Sequence, residues 1–222
     1  MEDVDHLNLE EYKTMVVLDA KCRKCRRAGE KLFLKGDRCY SIKCPLIRKP
    51  YAPGMHRKKV TKATSEYGRQ LNEVRKVKLT YGVNEAQMKK YFKEARKSPQ
   101  STSDIFFKKL ELRLDNVVFR AGFSNSRKGA RQLVSHGHIL VNGKKIDVPA
   151  YELKKGDIIT IRPQSLNKAP FANLAQRLKK SQVPDYLSLN PEKLEVKVIA
   201  EPSLAKQLPP FDFRQIVEFY SR

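Results

Sequence analysis

LRLDNVVFRAGFSNSRKGARQLVSHGHILVNGKKIDVPAYELKKGDIITI, residues 112–161, is the stretch that decides the fold. Leu114, Val117, Val118 and Ala121 recur at helical spacing and give one apolar face. Gly122 stands where a left-handed C-cap would end that helix. Ser126 offers a hydroxyl cap to a second helix with Ala130, Leu133 and Val134 on its inner face, and Gly137 is placed to stop it. Ile139 and Val141 then alternate with polar neighbours, as a half-buried strand would. Asn142-Gly143 signals a type I′ hairpin, because both turn positions need positive φ. Lys154-Lys155-Gly156-Asp157 makes a further turn, and Ile158, Ile159 and Ile161 supply the last strand expected of this unit. Arg127, Lys128, Arg131, Gln132 and His136 fall outside the apolar faces. With Arg113, His138, Asn142, Lys144 and Lys145 they form a candidate RNA-binding set. A compact apolar core with a cationic face suits structured RNA, and nothing in the stretch is catalytic.

The segments RLDNVVFR and ARQLVSHGHILVNG resemble the S-four RNA-binding domain, in wording close to that of the bacterial small-subunit (30S) ribosomal protein S-four family. The domain is shared with pseudouridine synthases, RNA methyltransferases and some aminoacyl-tRNA synthetases, so the remaining residues have to discriminate.

At 222 residues the chain has room for one or two domains. Lys and Arg number 46 against 24 acids, a formal charge of +22. Self-repulsion at that charge opposes compaction unless a polyanion is the partner, and nucleic acid is the default candidate. No run of about 18 apolar residues reads as a membrane span, and the first residues lack the apolar core of a signal peptide. A cytoplasmic location is therefore expected. Residues 1–20 form an acidic N-terminal extension with Glu2, Asp3, Asp5, Glu10, Glu11 and Asp19 against the single base Lys13. Leu7, Leu9, Tyr12, Met15, Val16 and Leu18 give it the makings of a short amphipathic element.

All four cysteines, Cys22, Cys25, Cys39 and Cys44, fall in residues 21–47 in the pattern C-x2-C-x13-C-x4-C. A Cys-x-x-Cys turn sets two thiolates on one side of a loop, and a second pair completes a tetrahedral set. The surrounding Lys21, Arg23, Lys24, Arg26 and Arg27 are expected to favour thiolates. One structural zinc ion is the favoured reading in a cytosolic chain. An iron–sulfur cluster is the alternative, and redox chemistry lacks a partner acid or base. With four ligands such a metal has no open position and would staple a segment too small for its own core. LFLKGDRCYSIKCP and RKPYAPGMH around these cysteines are similar to the zinc-binding, four-cysteine variety of the S-four family, in that family's order.

Residues 47–62 are Pro-, Gly- and base-rich and read as a cationic cable. Arg48, Lys49, His56, Arg57, Lys58 and Lys59 would lie along phosphates, with Tyr51 stacking a base. Thr64 or Ser65 caps a helix running to Tyr81. Its stripe is Tyr67, Leu71, Val74 and Tyr81, with Val77 at the margin, and Arg69, Arg75, Lys76 and Lys78 on other faces are further candidate RNA contacts. Asn84 caps a third helix with Met88, Tyr91, Phe92 and Ala95 inward. Ser103 begins a helix that runs into Leu112, with Phe106 and Leu110 packing on the helical part. Leu166 to Lys180 reads as linker plus helix, and Tyr186 to Val198 shows short alternating stretches.

The expected class is α+β: a mostly helical domain with an N-terminal zinc knuckle, plus an inserted S-four domain. IVEFYSR at the end again resembles the family, which implies that 48–110 and 170–222 form one discontinuous helical rRNA-binding domain around an S-four domain at 111–169. The resemblance further implies a non-enzymatic constituent of the small subunit that binds 16S ribosomal RNA at a multi-helix junction during assembly. Its partners would be neighbouring small-subunit proteins and messenger RNA in the channel through which it enters, with no membrane and no small-molecule substrate. An RNA-modifying or rescue factor is the competing reading, but only about sixty residues follow the S-four segment, without a Gly-rich loop. A zinc-bearing DNA-binding factor is a third, and the metal segment offers no recognition helix.

Overall fold

The computed structural model describes residues 20–55, 65–172, 174–179 and 181–222. The expected acidic extension, apart from Ala20, and the four basic residues His56, Arg57, Lys58 and Lys59 lie outside the described residues. Two hydrophobic cores organise what is described.

The first core is helical. Helices α4 (Glu66–Tyr81), α5 (Glu85–Arg96) and α6 (Thr102–Glu111) bury Val74, Val77, Met88, Phe92, Phe106, Phe107 and Leu110 against one another. The Ser65 hydroxyl accepts from Gly68 N at 3.2 Å and Asn84 Oδ1 accepts from Gln87 N at 2.8 Å, so both expected caps are present. The stripe of α4 is rotated from the expected one: Val77 is fully buried, whereas Tyr67 is half exposed against Phe219. The last helix, α11 (Phe213–Ser221), returns along α4 and α6 and brings Phe213 and Ile216 into the same core. Asp212 caps α11 through Arg214 N and Gln215 N, and Asp212 N itself donates to Glu73 of α4.

The second core is the helix pair α7 (Leu114–Arg120) and α8 (Arg127–Ser135) on an antiparallel sheet. Every apolar residue expected to be inward on these two helices is buried. Strands β1 (Ile139–Val141) and β2 (Lys144–Lys145) are joined by Asn142 and Gly143 at φ 50° and 77°, the positive pair that a type I′ turn demands. Strand β3 (Ile158–Ile161) pairs with β1, but it is not the last strand. Strands β4 (Leu187–Asn190) and β5 (Glu195–Val198) extend the sheet in the order β2-β1-β3-β5-β4. Phe171, Leu174, Leu178, Tyr186, Leu187, Val196 and Val198 all join this core. The expected return to the helical part at residue 170 is therefore corrected. Residues 171–198 pack with the S-four segment, and the chain rejoins the helical core only with α10 (Leu204–Gln207) and α11. The alternation of Leu187/Leu189 and Val196/Val198 found an open edge on β3, and pairing there satisfies backbone groups an edge strand would leave bare. Among the described residues no helix is long and apolar enough to cross a membrane.

A buried polar hub joins the two cores. Glu111, at the C-terminal end of α6, is fully buried. Its carboxylate accepts from Tyr81 Oη at 2.6 Å, Tyr186 Oη at 2.9 Å, Asn116 Nδ2 at 2.8 Å and Arg120 Nη2 at 2.9 Å. Burial alone would raise its pKa, but Arg120 and Arg127 overwhelm that and hold it at about 2. Donors thus come from the helical part, from α7 and from the strand β4 approach. A satisfied network of this kind fixes one relative placement of the two parts.

Candidate nucleic-acid interface

Three parts of the chain converge on one cleft of about 270 Å³. Helix α1 (Lys21–Ala28) contributes Lys21 and Lys24; the end of α4 contributes Lys78; α8 contributes Arg127, Lys128 and Arg131. Tyr81, Phe33, Leu34, Leu79 and Val83 also line it, and among the described residues no Asp or Glu does. Burial, then Lys128, Lys35 and Lys24, hold the Lys21 ammonium below its usual value. Crowded cations of this kind repel one another and favour an anionic partner.

The cleft is held open by specific contacts. Gly36, at φ +62°, lets the cysteine segment touch the S-four part, since a Cβ there would lie 2.5 Å from the Asn125 carbonyl oxygen. Asn125 Nδ2 donates to Asp37 Oδ2 at 2.8 Å across the same junction. Arg131 Nη1 donates to the Gly82 carbonyl at 2.6 Å, strapping α8 to the end of α4. Arg127 lies between the Phe119 and Tyr81 rings, 4.5 and 5.0 Å from their centroids, with Nε on Asn116 Oδ1. It is a structural cation beneath the cleft rather than a side chain reaching out of it.

The other expected contacts divide. Arg48, Lys49, Arg69, Arg75, Gln132, His136, Lys144 and Lys145 are exposed. Asn142 is exposed, but its amide group is held by Asp157 Oδ1 and Ile158 N, which stabilises the turn. Lys78 pairs with Glu85 at 2.6 Å. Tyr51 lies under the Arg26 guanidinium at 4.9 Å, so its ring face is covered. Three expectations are corrected. Lys76 is buried between Glu30 and Glu73 at 2.6 and 2.7 Å and ties the cysteine segment to α4. Arg113 is buried in a fork–fork pair with Asp115 at 3.0 and 2.7 Å, with Tyr91 Oη at 2.9 Å. His138 is buried with Nδ1 2.9 Å from Ser165 Oγ, its ring edge-on to Phe171, and burial lowers its pKa. Each is spent on internal partners. Conversely, Lys21 and Lys24 are cleft residues that sequence reasoning assigned to the thiols alone.

The four cysteines are free thiols and line one small cavity of about 20 Å³. Among the described residues no group of three or more His, Cys, Asp or Glu side chains stands at metal-holding positions. The sulfurs therefore face a common space without taking coordination geometry. Burial, and then the charges of Cys39, Cys22 and Cys44, push the Cys25 thiol up, against the expected lowering. Clustered thiolates repel one another, and a central cation would reverse that sign, so the donor set fits a divalent ion chemically.

Comparison with known proteins follows the same division of the chain. Residues 17–111 match the Ribosomal protein S4/S9 N-terminal domain and residues 112–159 the S4 domain. A small ribosomal subunit protein uS4 of Halothermothrix orenii is 48% identical over 201 residues, covering 90% of this chain and 96% of that protein. The uS4A protein of Clostridium novyi is 48% identical over 208 residues, covering 92% and 98%. The chain belongs to the uS4 family of small ribosomal subunit proteins. A further uS4, of Syntrophomonas wolfei, is 44% identical over 204 residues, or 92% of this chain and 98% of its own length. In uS4 terms, α1 and α4 to α6 lie in the N-terminal match, and the sheet gains β4 and β5 beyond the end of the S4 match.

Proposed function

We propose that the chain is a structural, non-enzymatic constituent of the small ribosomal subunit that binds 16S ribosomal RNA and neighbouring subunit proteins in the cytoplasm. The observation that supports this most is the cleft where three cation-bearing parts meet over a rigid, internally neutralised hub. Lys and Arg neutralise phosphates from more than one RNA helix, and released counterions drive association. Shape is read more than sequence, because the A-form major groove is too narrow for side chains. Two parts locked by Glu111 hold RNA helices at a fixed angle, which suits a primary binder at a multi-helix junction. Arg48 and Lys49 are exposed beside the cysteine segment, and they would be the side chains to meet messenger RNA where it enters.

Cys22, Cys25, Cys39 and Cys44 would hold one zinc ion, which when bound supplies a structural staple between α1 and the helix α3 (Pro45–Arg48). Elemental analysis is expected to return one zinc per chain. A folded, metal-free preparation with four titratable thiols refutes the staple, and iron in its place selects the cluster.

The functional reading is tested by ultraviolet crosslinking in cells with sequencing of the attached RNA. Reads concentrated at one multi-helix junction of 16S rRNA support it. Reads spread over transfer RNA or large-subunit RNA would replace it with a modification or rescue role.

A further inference from the structure

We infer that the cleft between the three parts takes one unstacked nucleotide, with its base against Phe33 and its phosphate on the cations of α8. This rests on the RNA-binding reading and specifies which piece of RNA enters the chain.

The first observation is the composition of the cleft. A site for backbone alone needs cations, and a packing gap needs only apolar walls. This cleft has both: Phe33, Leu34, Leu79 and Val83 line it together with Lys128 and Arg131. About 270 Å³ is near the lower end of small-ligand sites, roughly 300–1,000 Å³, and far too small for a helix of RNA.

The second observation is Phe33 itself. It lies at φ +49°, a left-handed conformation uncommon and strained for a bulky residue. Burial would offset such strain in a core, yet Phe33 is 37% exposed. Among the described residues its ring partner is Tyr40, stacked at 4.9 Å and 30° and itself 71% exposed. A strained, outward aromatic pair beside a row of cations is the arrangement by which proteins stack an unpaired base while holding its phosphate. Tyr81 cannot serve instead, because it is only 3% exposed and its hydroxyl is committed to Glu111.

The chain has no tryptophan, so Phe33→Trp in the full-length protein creates a single fluorescent reporter. Its emission is expected to be quenched on saturation with a 16S rRNA junction fragment, with complex formation verified by filter binding. Phe33→Ala is expected to weaken binding roughly tenfold with an unchanged salt slope, and Phe33→Tyr to restore it. Nucleoside monophosphates alone form the second arm. Quenching by them but not by the RNA assigns the cleft to a free nucleotide. Unchanged emission with both probes, and wild-type RNA affinity in Phe33→Ala, overturns the inference while leaving the RNA-binding reading intact. Failure of the unaltered protein to bind the fragment removes both.

Discussion

Two charged clusters lie on either side of Tyr81 and follow opposite rules. Below it, Glu111 is enclosed by Arg120, Asn116, Tyr81 and Tyr186, and every charge finds its partner within the chain. Above it, Lys21 and Lys128 line a cleft to which, among the described residues, no carboxylate contributes. Charge that serves the fold is neutralised internally. Charge that serves a partner is left for the partner to neutralise, at a cost in self-repulsion borne until it arrives.

The sharpest way to break this contrast is Glu111→Ala. It leaves Arg120 and Arg127 facing each other without a carboxylate. We expect a loss of about 3–5 kcal/mol in urea unfolding, and a loss below about 1 kcal/mol would show that water replaces the hub. Acid should act on the same cluster. Glu111 titrates at about 2 when folded against an ordinary 4.5. Its contribution, on the order of 3 kcal/mol, is therefore fully present above 4.5 and lost as pH falls toward 2. A urea midpoint that stays flat across that window would refute the assignment. Lys76→Ala probes a cation that sequence reasoning placed on the RNA side. It should lower stability by about 1–2 kcal/mol, because Glu73 is left half-desolvated, while RNA affinity stays unchanged. Lys128→Ala should do the reverse and with the smallest structural effect: thermal stability within about 0.5 kcal/mol of wild type, and a plot of log affinity against log salt shallower by about one.

Much of the S-four segment was legible because its signals are local. Caps, the Asn142-Gly143 turn and the period of Leu114, Val117, Val118 and Ala121 need no knowledge of distant residues. The misassignments came from long-range partners. Val77 shares a core with Phe213 and Ile216 of the distant α11, and β4–β5 join the sheet through the edge of β3. Cationic side chains were the least legible. Arg113, Lys76 and Arg127 have the same chemistry as Lys128, and only Asp115, Glu30, Glu73 and the Tyr81–Phe119 pair remove them from the surface. The Arg-x-Asp spacing at 113 and 115 was a usable signal that passed unread. Glu111, the residue on which the two parts turn, carried no sequence mark beyond being one acid in a basic run.

Helix α11 closes the helical core from far along the chain, and this sets an order on synthesis. Residues 65–111 leave the exit tunnel with Phe106 and Phe107 lacking the Phe213 ring that later meets them edge-on at 6.2 and 5.3 Å. The sheet-bearing part is complete once β5 has emerged, so the segment translated earlier is the one that finishes folding later. Until α11 arrives, those phenylalanines are an apolar surface for a chaperone to hold, and a ribosome that stalls after residue 200 would release a chain with one finished core and one open one.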